Sequence, residues 1–291
     1  MPLTQRCVEP LYVLDGHFLI FRAYHALPAL HAPDGAPVNA VLGFTQSLLK
    51  LQARLRPALA LVTFDSDPIV SFRTRLFPDY KSQRGRPPVD LESQFGLCVE
   101  AAGALGFATV LAPDYEADDL MATVVRHFGR EGRPIELLTQ DKDLAQLVAP
   151  GVTWVSFDGS VRLDPDGVAA RFGVRPEQIP DYLALVGDAV DNIPGLRGVG
   201  PKTARAALAR FASLEDMLAR PEALPPAIAR GLAADPARAR LSRRLAVLCD
   251  DVPLDLTLED LRYRGVRLEA ARALFGRLGL ARLLARIEAT E

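Results

Sequence analysis

LYVLDGHFLIFRAYHAL, residues 11–27, is the stretch from which the fold is read. Leu11 to Asp15 reads as a short buried strand, and Phe18 to Leu27 as a helix. Val38 to Leu55 follows as a longer helix with apolar spacing near 3.6. The alternation then recurs. Ala58 to Asp65 is a second apolar strand, broken at Asp67-Pro68. Val110 to Ala112 ends a third, and a helix runs from about Glu116 to Arg130. Ile135 to Thr139 is a fourth strand, a short helix spans about Asp143 to Val148, and Val152 to Phe157 is a fifth strand. Strands that are unbroken apolar runs, separated by helices, predict an α/β fold with a mostly parallel sheet and helices on both faces.

After Phe172 only short helices are expected: Pro176 to Val186, Thr203 to Phe211, Leu214 to Arg220, Pro236 to Leu248 and Glu269 to Leu284. A domain change is therefore placed near Phe172 to Pro176, giving units 1–172 and 173–291. Between Phe77 and Asp90 the polar stretch FPDYKSQRGRPPVD fits neither period and is long for a connection.

Composition narrows the chemistry. The 291 residues are 49% hydrophobic and 24% charged, as in an ordinary globular protein. The N-terminus lacks the apolar core of a signal peptide. No apolar run reaches the ~18 residues of a membrane helix, so a cytoplasmic protein is expected. Cys7, Cys98 and Cys249 are far apart, and the four histidines form no ligand pair. Neither a zinc site nor a Cys/His nucleophile is offered, which leaves carboxylates.

Those carboxylates follow the strands. Asp15 follows the first and Asp65 the second. Glu116, Asp118 and Asp119 open the helix after the third. Asp141 and Asp143 follow the fourth, and Asp188 and Asp191 lie in a loop beyond the sheet. A single Asp at a strand end is usually a cap or turn residue. Four successive strands ending in acids at one edge is a different matter, because that edge is where open parallel sheets bind ligands. If the chain stays extended at Asp141 and Asp143, both point one way and Lys142 the other. So many carboxylates need cations. Oxygen-only sites suit Mg²⁺ or Mn²⁺, and two such ions can clamp an in-line displacement at phosphorus. With those nine set aside from the 36 acidic residues, the other 27 face 34 basic ones, which suits a polyanion binder.

Two further segments point the same way. Tyr80, Lys81, Arg84 and Arg86 place an aromatic among cations, which suits stacking and phosphate contacts with a nucleic-acid strand. Gly195, Gly198 and Gly200 precede Lys202 and Thr203 at a helix start, where backbone N–H groups hold phosphate. No strand precedes this turn, so a helix–hairpin–helix gripping a DNA backbone fits better than a dinucleotide site.

Together these motifs resemble the 5′ nuclease family, the flap-endonuclease-like enzymes that include the N-terminal domain of bacterial DNA polymerase I. LYVLDGHFLIFRAYHAL, NAVLGF, TFD, FRTRLFPDYKSQR, YEADD, TQDKD and GDAVDNIPGLRGVGPKTA carry the likeness over nearly the whole chain. The resemblance implies a PIN-like sheet with a helical arch at about 77–95 and a helix–hairpin–helix at about 187–211. It implies one metal near Asp15, Asp65, Glu116, Asp118 and Asp119, and a second near Asp141, Asp143, Asp188 and Asp191. It implies catalytic cations at Lys81 and Arg84, a phosphate contact at Arg22 and a K⁺ ion at the hairpin. Two-metal hydrolysis of branched, nicked or 5′-flapped DNA follows, with RNA–DNA primers as a further substrate class. Pro201 departs from the commoner polar residue but is tolerated at a helix start. Met1 to Pro10 reads as a natural start, so a stand-alone monomer working with a polymerase in trans is expected. The rivals are a PIN-type ribonuclease, which typically uses fewer carboxylates and lacks the hairpin, and a non-catalytic DNA-binding module, which would not need the full acidic set.

Overall fold

The computed structural model describes residues 8–67, 69–130 and 132–289. Cys7, the first seven residues of the expected natural start, and Pro68 of the strand-breaking pair lie outside them.

The first half builds one sheet. Strand β1 (Leu11–Asp15) leads into α1 (Gly16–Ala26) and α2 (Asn39–Leu55). Then come β2 (Leu59–Thr63), α3 (Phe72–Leu76), α4 (Val89–Glu92), α5 (Phe95–Ala104), β3 (Ala108–Val110), α6 (Ala117–Gly129) and β4 (Ile135–Leu138). A 3₁₀ turn at Asp143–Leu147 precedes β5 (Val152–Val155), β6 (Arg162–Leu163) and α7 (Pro165–Phe172). The strand order is β3-β2-β1-β4-β5-β6. The first five strands run parallel, and β6 pairs antiparallel at the edge. The period of two divides each strand between two cores. Val13, Leu61 and Leu137 face one; Leu14, Val62 and Leu138 face the other. Burial on both faces is why the strands read as unbroken apolar runs.

The order reverses at β1. The chain steps outward to β2 and β3, then returns to lay β4 on the other side of β1. Side chains at the carboxyl ends of β1 and β4 therefore open into the crevice of a topological switch point.

The second half is helical: α8 (Ile179–Val186), α9 (Pro201–Leu208), α10 (Leu214–Ala219), α11 (Pro226–Ala234), α12 (Pro236–Ala246), α13 (Leu268–Arg277) and α14 (Ala281–Glu288). The last two return to the sheet. Ala271, Phe275, Leu283 and Ile287 share a core with Cys98 and Leu105, and Tyr263 N–H donates to Ala58 O at 2.9 Å. Among the described residues no helix is long and apolar enough to cross a membrane.

Several expectations are corrected. Residues 77–95 form no helical arch. They contain a 3₁₀ turn at Ser82–Arg84 and the four-residue α4. Pro78, Pro87 and Pro88 withhold backbone donors, and Gly85 turns the chain at φ 63°. The expected helix Glu269 to Leu284 is two helices, because Gly279 sits at φ 68° between them. Helix α5 was not anticipated. Its sequence FGLCVEAAGA is apolar on most sides and gives no clear face.

Candidate active site

The last residue of β1 anchors the crevice. Asp15 is buried, and its Oδ1 accepts the Phe18 N–H at 2.9 Å, capping α1. Its Oδ2 accepts the Thr139 hydroxyl at 3.0 Å. Thr139 Oγ1 in turn accepts the Asp141 N–H at 3.0 Å, so one fully buried threonine ties the ends of β1 and β4 together. Across the crevice, Asp65 Oδ1 accepts the Ala117 N–H from the first turn of α6 at 2.6 Å. Its Oδ2 lies 3.4 Å from His17 Nε2. Glu116 caps α6 and Asp118 follows in its first turn. Asp15, Asp65, Glu116, Asp118, Asp141 and Asp191 line one cavity of about 440 Å³, with Lys81 and Arg84 at its wall.

The acids divide by what faces them. Burial, and then Asp141, push Asp15 up to about 7. Burial, and then Asp141, also bring Asp143 up to about 7. Asp118 is held well above the usual carboxylate range by burial, Asp141 and Asp15. Glu116 goes the other way. Burial alone would raise it, but Lys81 and Arg73 outweigh that and bring it down to about 2. Lys81 Nζ sits 2.9 Å from Glu116 Oε2, Arg84 pairs with Asp191, and Lys142 Nζ lies 2.5 Å from Asp188 Oδ2. Among the described residues, no three acidic, His or Cys side chains enclose a ready-made ion position. The donor set still fits a hard divalent cation. It is all oxygen, three of its acids resist ionisation, and the buried Asp143 Oδ1 has no hydrogen-bond partner.

The segment expected to arch over the crevice lies against it. Lys81 takes a left-handed backbone, φ 54°, and its N–H donates to Asp191 O at 3.0 Å. Asn192 Nδ2 donates to Asp79 O at 2.7 Å. Tyr80 corrects the stacking expectation. It is buried, and its hydroxyl lies 3.2 Å from both Glu116 Oε2 and Asp191 Oδ2, so its ring offers no face to a strand.

Asp119 is also corrected. It is fully buried and takes both ends of the Arg73 guanidinium at 2.7 Å. The N–H groups of Glu116 and Cys249 fill its remaining acceptor positions at 3.1 and 2.8 Å. It anchors α6 and has no lone pair left for an ion. Arg73, invisible as a partner in the sequence, also donates to Leu245 O and Val247 O, both at 2.9 Å. The chain is not extended at Asp141 to Asp143. Asp141 Oδ1 accepts the Asp143 N–H at 2.8 Å and starts the 3₁₀ turn. Lys142 therefore swings toward Asp143 and Asp188 instead of away. Arg22 is exposed on α1, outside the lining of the crevice.

The glycine turn joins α8 to α9. Gly195 does not face a ligand, because a Cβ there would come within 2.4 Å of the Val186 carbonyl and 2.5 Å of Gly187 N. Gly198, at φ 78°, and Gly200 open onto free space, with Lys202 exposed and Thr203 half-buried beside them. Gly195→Ala is expected to lower unfolding free energy by roughly 2 kcal/mol or more, read by urea denaturation, whereas Gly200→Ala costs far less. Equal, small effects would contradict this packing.

Residues 10–173 match the family described as 5′-3′ exonuclease, N-terminal resolvase-like domain. Residues 174–269 match 5′-3′ exonuclease, C-terminal SAM fold. The chain belongs to the 5′-3′ exonuclease family. Within it, the 5′-3′ exonuclease of Aquifex aeolicus is 35% identical over 97% of this chain and 96% of its own length. The thermostable DNA polymerase I of Thermus aquaticus is 38% identical over 94% of this chain, which spans only 32% of that protein. Among solved structures, a T5 5′-exonuclease with bound zinc matches with a TM-score of 0.69 at 22% identity, covering 96% of this chain and 98% of its own. The catalytic core of Rad2 with a DNA substrate matches with a TM-score of 0.61 at 14% identity, covering 99% and 95%. At these identities the two structures bear on the fold: a mixed sheet with peripheral helices and a helical hairpin region.

Proposed function

We propose that this protein is a divalent-metal-dependent 5′ nuclease that hydrolyses phosphodiester bonds at 5′ ends and flap junctions in DNA. One observation carries the reading: Asp15, Asp118 and Asp141 converge at the switch point with Asp15 and Asp118 held against ionisation, beside Lys81 and Arg84. Asp15, Asp65, Glu116, Asp118 and Asp141 would hold one Mg²⁺ or Mn²⁺ ion, and Asp143, Asp188 and Asp191 a second. When bound, such ions activate water and neutralise charge developing on the phosphate.

The chain's own residues do the rest. Thr139 and the Ala117 N–H orient Asp15 and Asp65. Lys81 and Arg84, released from Glu116 and Asp191 once those acids are otherwise neutralised, supply positive charge to the scissile phosphate. Lys202, Thr203 and the free N–H groups at the start of α9 hold the duplex backbone, with K⁺ as a fitting ion at that turn. Arg22 supplies an outlying phosphate contact. In this reading the sheet is PIN-like, residues 1–172 cut and residues 173–291 grip, α13 and α14 bracing the cutting unit. RNA–DNA primers, a polymerase acting in trans, a monomeric state and a nucleoid location in the cytoplasm belong to the same proposal. The test compares a 5′-labelled flap duplex with a nicked duplex in Mg²⁺, Mn²⁺ or EDTA. Metal-dependent products ending near the flap junction are expected. Tight binding without cleavage would favour a non-catalytic module.

A further inference from the structure

The acids are not alike in what they lack. Around Asp15 and Asp118 the repelling neighbours are other carboxylates, Asp141 first, and the charge of Lys81 opposes them for Asp118. Around Asp188 the chain brings its own cation. The turn begun by Asp141 carries Lys142 alongside Asp143, so that its Nζ lies 2.5 Å from Asp188 Oδ2 and 3.8 Å from Asp143 Oδ1. Asp188 is buried and held below the usual carboxylate range: burial would raise it, but the Lys142 ammonium and the Val190 and Asp191 N–H groups together outweigh that. The filling is incomplete. Asp143 Oδ1, buried and without a hydrogen-bond partner, is the oxygen that Lys142 only approaches. The neighbouring Asp191 is likewise engaged, by Arg84 and the Tyr80 hydroxyl.

From this we infer that Lys142 is a built-in, displaceable cation of the second ion position. An ammonium that closes on Asp188 and leaves Asp143 Oδ1 orphaned neutralises the site without saturating it. A divalent ion entering there must first move Lys142 out. The half-exposed side chain has a path into solvent. At the first position no described cation pairs with Asp15, Asp118 or Asp141 themselves; Lys81 closes on Glu116 instead, at 2.9 Å. The two positions therefore differ in affinity, the one near Asp188 being weaker, and Lys142 sets the gap. The inference rests on the metal-dependent reading above.

The experiment is Mn²⁺ binding to the full chain, followed by electron paramagnetic resonance of the free ion and by calorimetry, with no DNA present. The wild type is expected to show one tight and one weak ion. Lys142→Met, which keeps the stem and removes the charge, is expected to tighten the weak ion by roughly tenfold and leave the tight one unchanged. Lys142→Arg is expected to keep the weak ion weak. Melting in EDTA controls for folding: Lys142→Met should melt lower, and Mn²⁺ should restore it. Two equal ions in the wild type, or a weak ion unaffected by Lys142→Met in a folded variant, overturns the inference and leaves the nuclease reading standing. No Mn²⁺ bound by the wild type overturns both.

Discussion

Asp143→Asn is expected to lower cleavage of a 5′-flapped duplex by about 10³-fold while changing DNA affinity less than about twofold. The amide keeps the shape of the side chain and its place in the 3₁₀ turn, so the loss reports charge. Burial and Asp141 hold this carboxyl up at about 7. Phosphate contacts at the hairpin lie on other elements and are untouched. A linked effect follows in the metal-free protein. A group raised in the folded state, from 3.8 to about 7, contributes stability that is complete below pH 4 and lost as pH rises to about 7. Asp15 adds to the same window, being raised over the same range. In EDTA the melting temperature should therefore fall between pH 4 and 7. Asp143→Asn should flatten that slope, and saturating Mn²⁺ should flatten it in the wild type. An unchanged slope in the variant, or cleavage at the wild-type rate, would remove Asp143 from the site.

Arg73→Met is expected to destabilise the fold by about 3–5 kcal/mol, a fall of roughly 10 °C in melting temperature. Arg73 is 1% exposed and ties α3 to two other elements: Asp119 on α6 and the carbonyls of Leu245 and Val247 around the end of α12. Removing it leaves the fully buried Asp119 without its guanidinium partner. Replacing both, as Arg73→Met with Asp119→Leu, should recover more than half of the loss, because a packed apolar pair tolerates that environment better than a lone charge. The same pair decides the role of Asp119. Held below its melting point, Asp119→Asn should bind Mn²⁺ within about threefold of the wild type. A large loss of Mn²⁺ affinity would return Asp119 to the ligand set.

What the sequence discloses and what it withholds have separate physical causes. The strands were legible because burial on both faces makes LYVLD, ALALVTFD and IELLT unbroken apolar runs. The acids at their ends were legible because a parallel sheet gathers its carboxyl ends at one edge. Asp119 was misread because YEADD looks like three equivalent acids. Only Arg73, 46 residues earlier, distinguishes the buried one. Tyr80 was misread for a similar reason. Its partners, Glu116 and Asp191, arrive from distant parts of the chain. The turn at Asp141 depends on one side chain accepting its second neighbour's N–H, and that local choice reversed the direction of Lys142. Thr139 and His17 carried no signal at all. A single threonine after a strand and a single histidine after an Asp-Gly are unremarkable until β1, β2 and β4 are set side by side.

The central claim is that divalent ions act at the switch point between β1 and β4. Crystals soaked in Mn²⁺ and measured for anomalous scattering test it most directly. The account predicts a strong peak among Asp15, Asp118 and Asp141, and a weaker one toward Asp143 and Asp188 at higher concentration. A protein that cleaves flapped DNA in Mn²⁺ while its crystals show the ion elsewhere, with the crevice empty, would contradict it.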